Sequence, residues 1–255
     1  MESNSAIELL HIKQREIQEL FARPFNHEYL PCIKAWFRDF IVFLSQLELT
    51  GEQLKSPSIL LMASAIRGYY DRFYIFDEAL TTLEVLEGNQ VPEFTSHNSS
   101  LAEEEMRIMD LNPNSNLCFV GSGPYPWSAI RYARKYSCKI TAVETRPEAV
   151  VLSEGLIRHF GLSEQIKVIC ADAQTLDYTN FSTVVIAAMV YPKHTLLDVI
   201  YPELATGAKM LVRSAIGQYI FVYDNLDIPN IPTGMQYSIL RGNTNCELET
   251  FVFSR

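Results

Sequence analysis

The chain has 255 residues, 48% of them hydrophobic, and a net charge of −9; this suits one α/β domain with an appendage or two small domains and excludes a disordered or collagen-like chain. The charge is uneven: residues 1–110 hold 9 basic and 18 acidic side chains, residues 111–255 hold 12 of each. Neither segment supplies the basic stripe that a nucleic-acid partner needs against its phosphates, while the acidic first segment suits a solvated helical surface or a cationic small molecule.

Three helical patterns fill the first segment. Ile7, Leu10, Ile17 and Leu20 recur at helical spacing up to Pro24, and Ile33, Trp36, Phe37, Phe40, Val42, Phe43 and Leu47 do so between Pro31 and Gly51. The longest opens at Ser56 or Ser58, runs through Ile59, Met62, Ile66, Tyr70, Phe73, Phe76, Leu80 and Leu83, and stops at Gly88. A linker from Asn89 to Ser100 precedes a short helix, Leu101 to Leu111.

From Asn116 the pattern changes. Leu117–Val120, Lys139–Val143, Ile166–Cys170, Val184–Ala188 and Met210–Val212 read as buried strands, separated by helices near Trp127–Tyr136, Glu148–Phe160 and His194–Leu204. This alternation predicts a parallel sheet with right-handed crossovers. Tyr219–Tyr223, Ser238–Leu240 and Leu248–Phe253 then read as strands without intervening helices, so the sheet is expected to end in an antiparallel pair.

The first predicted strand leads into Gly121-Ser122-Gly123-Pro124, where glycines let a ligand approach the backbone and helix N-terminal amides face an anion. The third glycine of a dinucleotide fingerprint would stand at 126; Pro126 there disfavours NAD. Glu144 closes the second strand, where an acid commonly binds ribose hydroxyls, and Asp172 follows the third in Ala171-Asp172-Ala173, within reach of an adenine amino group. Acids at the carboxyl ends of successive strands beside a glycine turn, with no phosphate cradle, point to S-adenosylmethionine.

Three stretches carry a resemblance. Phe119-Val120-Gly121-Ser122-Gly123-Pro124-Tyr125-Pro126, then Val184-Val185-Ile186-Ala187-Ala188-Met189-Val190, then Leu211-Val212-Arg213-Ser214-Ala215-Ile216-Gly217 continuing to Phe221-Val222-Tyr223 resemble segments of nicotianamine synthases and the related bacterial opine-metallophore synthases. The resemblance implies an α/β, Rossmann-like S-adenosylmethionine-dependent transferase fold with an N-terminal all-helical domain. Residues 1–111 would cover the active site and residues 112–255 would bind S-adenosylmethionine through Gly121, Ser122, Gly123, Glu144, Asp172, Ala173 and Ala188. It further implies transfer of the 3-amino-3-carboxypropyl (aminobutyrate) group to a small-molecule amine or amino-acid acceptor, with methylthioadenosine released and no metal required for catalysis. The product would be a nicotianamine-like or opine-type metallophore.

The family's catalytic base is a helical-domain glutamate. Aligning the helix that ends at Leu86-Glu87-Gly88 gives that role to Glu78, with Asp77 as the rival one residue away. Glu78 shares a polar stripe with Arg67, Asp71 and Tyr74, whereas Asp77 lies on the apolar side between Phe73 and Leu80. The chain departs from the family where Phe94-Thr95-Ser96-His97-Asn98 replaces a tyrosine-rich segment, leaving His97 or Asn98 as candidate substitutes. Arg146 and Ile216 also stand where a second acid and a histidine are common. A small-molecule methyltransferase and a non-catalytic S-adenosylmethionine-binding module are the alternative readings.

The cysteines, Cys32, Cys118, Cys138, Cys170 and Cys246, form no Cys-x-x-Cys pair, so no zinc site is expected. Met1 is followed by polar residues rather than a basic start and apolar run, and no apolar stretch approaches the ~20 residues that span a bilayer. A soluble cytoplasmic protein with reduced thiols and no membrane partner is expected.

Overall fold

The computed structural model describes residues 3–23, 28–89, 99–242 and 246–255. The expected helices are α1 (Ser3–Phe21), α2 (Leu30–Gln46), α4 (Pro57–Leu86) and α5 (Ser99–Met109). One further helical turn, α3 (Gly51–Leu54), begins at Thr50, whose hydroxyl accepts from the Gln53 N–H while the Gln53 side chain accepts from the Thr50 N–H. This capping box satisfies donors that the start of a helix leaves over, which is why helical structure resumes after the extended Leu47.

The second segment alternates β1 (Asn116–Val120), α6 (Trp127–Tyr136), β2 (Lys139–Glu144), α7 (Pro147–His159), β3 (Ile166–Cys170), β4 (Thr183–Ile186), α8 (Lys193–Ile200), β5 (Lys209–Ala215), β6 (Gln236–Arg241) and β7 (Leu248–Ser254). The sheet runs β3-β2-β1-β4-β5-β7-β6. Its first five strands pair in parallel, and β6 pairs antiparallel with β7. The order reverses about β1, and β1 and β2 leave their carboxyl ends at Val120 and Glu144, where ligands bind open α/β sheets.

By contact density the chain forms two compact units, residues 1–74 with 215–223, and residues 75–214 with 224–255. In the larger unit, alternate strand residues serve opposite faces. Leu117, Phe119, Ile140 and Ala142 join Met106, Ile130 and Leu156 on one side, whereas Cys118, Val120, Val143 and Ile186 join Leu197 and Ile200 on the other. The smaller unit is built on aromatic packing, with the Phe37 ring 4.9 Å from Phe73 and 5.0 Å from Tyr70.

One expected strand is absent. Residues 219–223 belong to a 3-10 turn, Gly217–Phe221, and its continuation, with Ile220, Phe221 and Val222 buried. An unbroken apolar run has no period to separate a buried strand from a buried turn. The turn's loose carbonyls are met by Arg67, whose Nη1 donates to Ile220 O at 3.1 Å and Tyr223 O at 3.3 Å. The polar stripe on α4 is accordingly no solvated face: Arg67 is half-buried and Asp71 is buried.

Candidate functional site

The loop after β1 is shaped by two glycines. Gly121 has φ +80°, and a Cβ there would collide with Val190 Cγ2. Its N–H and that of Ser122 donate to Val143 O, at 2.9 and 3.1 Å, turning the chain over the end of β2. Gly123 has φ +65°, and a Cβ on it would stand 2.6 Å from Glu78 Oε2. A side chain at this position would be strained by the left-handed backbone and would displace the Glu78 carboxylate. Ser122 is buried, and among the described residues its Oγ has no hydrogen-bond partner. Such an atom is normally satisfied by a partner in the functioning molecule.

Glu144, 4% exposed, joins the two loops. Its Oε2 accepts from the Gly123 N–H at 3.0 Å, and its Oε1 accepts from the Thr145 and Arg146 N–H groups at 2.9 and 3.0 Å. Arg146 Nη1 stands 3.6 Å from the same Oε1. Glu78, Gly123 and Glu144, separated by up to 66 positions in the sequence, thus meet at the carboxyl ends of β1 and β2. A charge effect follows from the same arrangement. Burial first, and the Glu78 carboxylate next, push the Tyr125 hydroxyl above its usual pKa, with Arg134 acting the other way.

The other expected site residues are placed as follows. Asp77 is half-buried, like Glu78, and its carbonyl accepts from the Thr81 hydroxyl at 2.9 Å. Asp172 is exposed and caps the turn Ala173–Thr175, its Oδ1 accepting from the Gln174 N–H at 2.9 Å. Ala173 is buried, and its carbonyl accepts from Tyr178 Oη at 2.7 Å. Ala188 is half-buried in the turn after β4. His97 and Asn98 lie outside the described residues. No group of three or more His, Cys, Asp or Glu side chains among the described residues is placed to hold a metal, and no described helix is long and apolar enough to cross a membrane.

Two supporting residues have partners that sequence reasoning did not assign. Lys193 is fully buried, and its Nζ donates to Ala188 O at 2.9 Å and Val190 O at 2.8 Å, holding the turn that abuts Gly121. Arg213 lies in the stretch of strongest resemblance, yet its partners are structural. Its Nη2 donates to Glu105 Oε2 at 2.8 Å and Tyr132 Oη at 2.9 Å, its Nε donates to Glu105 Oε1 at 3.0 Å, and Thr250 Oγ1 donates to the same Oε1 at 2.5 Å. Burial alone would lower the Arg213 pKa; Glu105 and then Tyr132 more than reverse that, so the guanidinium stays charged.

Comparison with solved structures finds the same fold. A glutamate-to-glutamine mutant of MtNAS is 17% identical, with 97% of each chain covered and a TM-score of 0.83. MtNAS in complex with MTA and tNA is 18% identical, with 97% of each chain covered and a TM-score of 0.82. The mutant in complex with S-adenosylmethionine is 18% identical over 95% of this chain and 96% of that one, with a TM-score of 0.78. The architecture is thus a Rossmann-like S-adenosylmethionine-dependent transferase fold preceded by helices. Among curated protein sequences none matches the chain. The profile of the family described as nicotianamine synthase protein matches residues 93–254, spanning the glycine loop, Glu144 and the Arg213 stretch, and this chain is a member of that family.

Proposed function

We propose that the protein transfers the aminobutyrate group of S-adenosylmethionine to an amine acceptor in the synthesis of a nicotianamine-like or opine-type metallophore. The observation that carries this reading is the Glu78 carboxylate beside Gly123, whose N–H is held by Glu144. A site for simple nucleotide binding has no need of a carboxylate at that point; a site that must deprotonate an ammonium beside a sulfonium does. Membership of the family supports the same reaction, as do the MtNAS complexes with S-adenosylmethionine and with MTA and tNA.

In this reading Gly121, Ser122 and Gly123 form the wall against S-adenosylmethionine, with the Ser122 Oγ free to bond it. Glu144 orders the loops and offers its remaining lone pairs to ribose hydroxyls, and Asp172, Ala173 and Ala188 line the adenine side. The acceptor amine, freed of a proton by Glu78, attacks the methionine Cγ. A C–N bond forms, the Cγ–S bond breaks, and its electron pair leaves with sulfur as methylthioadenosine. A sulfonium activates all three of its carbons, so the acceptor's position selects the bond. Residues 1–111 take the acceptor side of this division of labour and residues 112–255 the S-adenosylmethionine side, in a cytoplasmic enzyme that needs no metal for the step.

The test incubates the protein with labelled S-adenosylmethionine and a panel of amino acids that includes both enantiomers of histidine. Methylthioadenosine is the expected product. S-adenosylhomocysteine would identify a methyltransferase instead, and tight binding without turnover would identify a sensing module. Glu78→Gln should keep S-adenosylmethionine affinity and lower turnover by roughly 10²–10⁴. If Asp77→Asn alone has that effect in a folded protein, the base is Asp77.

A further inference from the structure

Thr82 stands one helical turn beyond Glu78 on α4 and is fully buried. Its Oγ1 lies 2.9 Å from Glu78 O, the carbonyl one turn back on its own helix, and 3.0 Å from Pro124 O, in the loop that also contains Gly123. A hydroxyl has one proton, so it donates to one carbonyl at a time or divides a bent bond between both. Back-bonding to the preceding turn is common for threonine in helices and slightly loosens the local ladder. The bond to Pro124 is the unusual one, because it crosses from a fully buried side chain to a different element 42 residues away. Together with the approach of Glu78 Oε2 to Gly123, it places one face of α4 against the glycine loop at two points a turn apart, of which the Thr82 bond is the one that ties them.

We infer that Thr82 is a positioning residue for the reaction: its hydroxyl, bonded to Pro124, sets the distance between the Glu78 carboxylate and the glycine loop. This rests on Glu78 as the base. Proton transfer demands hydrogen-bond reach, so a shift of about 1 Å costs up to about 10²-fold in rate. A shift of the α4 backbone at Glu78 carries its carboxylate with it. A buried hydrogen bond from the same face of the helix restricts the backbone from which that side chain reaches out.

The test compares Thr82→Val, which removes the donor at nearly constant shape, with Thr82→Ser, which keeps it. Methylthioadenosine release is followed from S-adenosylmethionine with a mixture of the twenty common amino acids and D-histidine. Thr82→Val should lower kcat by about 10–100-fold and leave the KM for S-adenosylmethionine within about twofold, and Thr82→Ser should restore most of kcat, since a purely local shift at the base spares cofactor binding. In the Glu78→Gln background, Thr82→Val should cause no additional loss, because the two residues act through one function.

Equal losses in both backgrounds would show a merely structural residue and overturn the inference. So would a serine variant as slow as valine, or a valine variant with unchanged kcat. If valine prevents folding, Thr82→Ala is read by the same criteria. When Glu78→Gln abolishes turnover and Thr82→Val does not change it, only this inference falls. When Glu78→Gln is itself as active as the parent, the base assignment fails and takes the inference with it.

Discussion

Gly123 joins a backbone requirement to a chemical one. Its φ of +65° already disfavours a side chain, and any Cβ would meet the Glu78 carboxylate. Gly123→Ala should therefore lose about 1–2 kcal/mol in urea unfolding from the left-handed backbone and also slow methylthioadenosine release by displacing Glu78. Parent-like turnover in that variant would mean that Glu78 does not act from beside residue 123. The thiols give a second check at this scale. Burial pushes the Cys118 thiol up to about 12 and raises that of Cys138, whereas Cys32 and Cys170 are exposed. Since the thiolate is the reactive form, a disulfide reagent at neutral pH should titrate Cys32 and Cys170 quickly, and the other three only after denaturation. Early reaction at Cys118 would contradict its place in the sheet. The glycine turn and Glu144 were legible because special backbone conformations and strand-end acids leave local marks. Lys193 left none, because lysine is almost always a surface residue and its two carbonyl partners come from a turn that sequence does not announce.

At the scale of elements, the Arg213 cluster joins β5 to α5, α6 and β7 through Glu105, Tyr132 and Thr250. Glu105 is fully buried, so Arg213→Met leaves an uncompensated carboxylate and should destabilise the protein by about 3–5 kcal/mol. Adding Glu105→Gln should return part of that loss in urea unfolding. Two equal and additive losses would show that the pair is not coupled. The strands themselves were readable from short apolar runs, and α6 as the helical stretch between two of them. The pairing of Arg213 with a residue 108 positions away was not, because a charged pair buried by tertiary structure has no period. The stretch 219–223 was misread for the complementary reason: it is an unbroken apolar run, and what separates it from a strand is its short-range backbone bonding, Val222 N–H and Tyr223 N–H both donating to Tyr219 O, which has no mark in the sequence.

At the scale of the molecule, strand–helix alternation specified a parallel sheet, and the sheet order agrees with it. What alternation does not reveal is that residues 215–223 leave the sheet unit to join residues 1–74. There Gln218 Nε2 donates to Leu44 O at 2.9 Å, the Phe221 ring stands 6.3 Å from Phe40, and the Tyr223 ring stands 5.8 Å from Tyr70. A fragment of residues 112–255 would carry that buried apolar turn without its partners, so it should be recovered as aggregate or bind a hydrophobic dye. A soluble, dye-silent fragment with a cooperative melt would refute this. The same threading imposes an order in time. The first 74 residues emerge from the ribosome about 140 residues before the segment that completes them, a wait of roughly 7–30 s at ~5–20 residues per second. During that interval the aromatic faces of Phe40 and Tyr70 have no partner of their own chain from the late turn, which makes the nascent amino-terminal helices natural clients for chaperones.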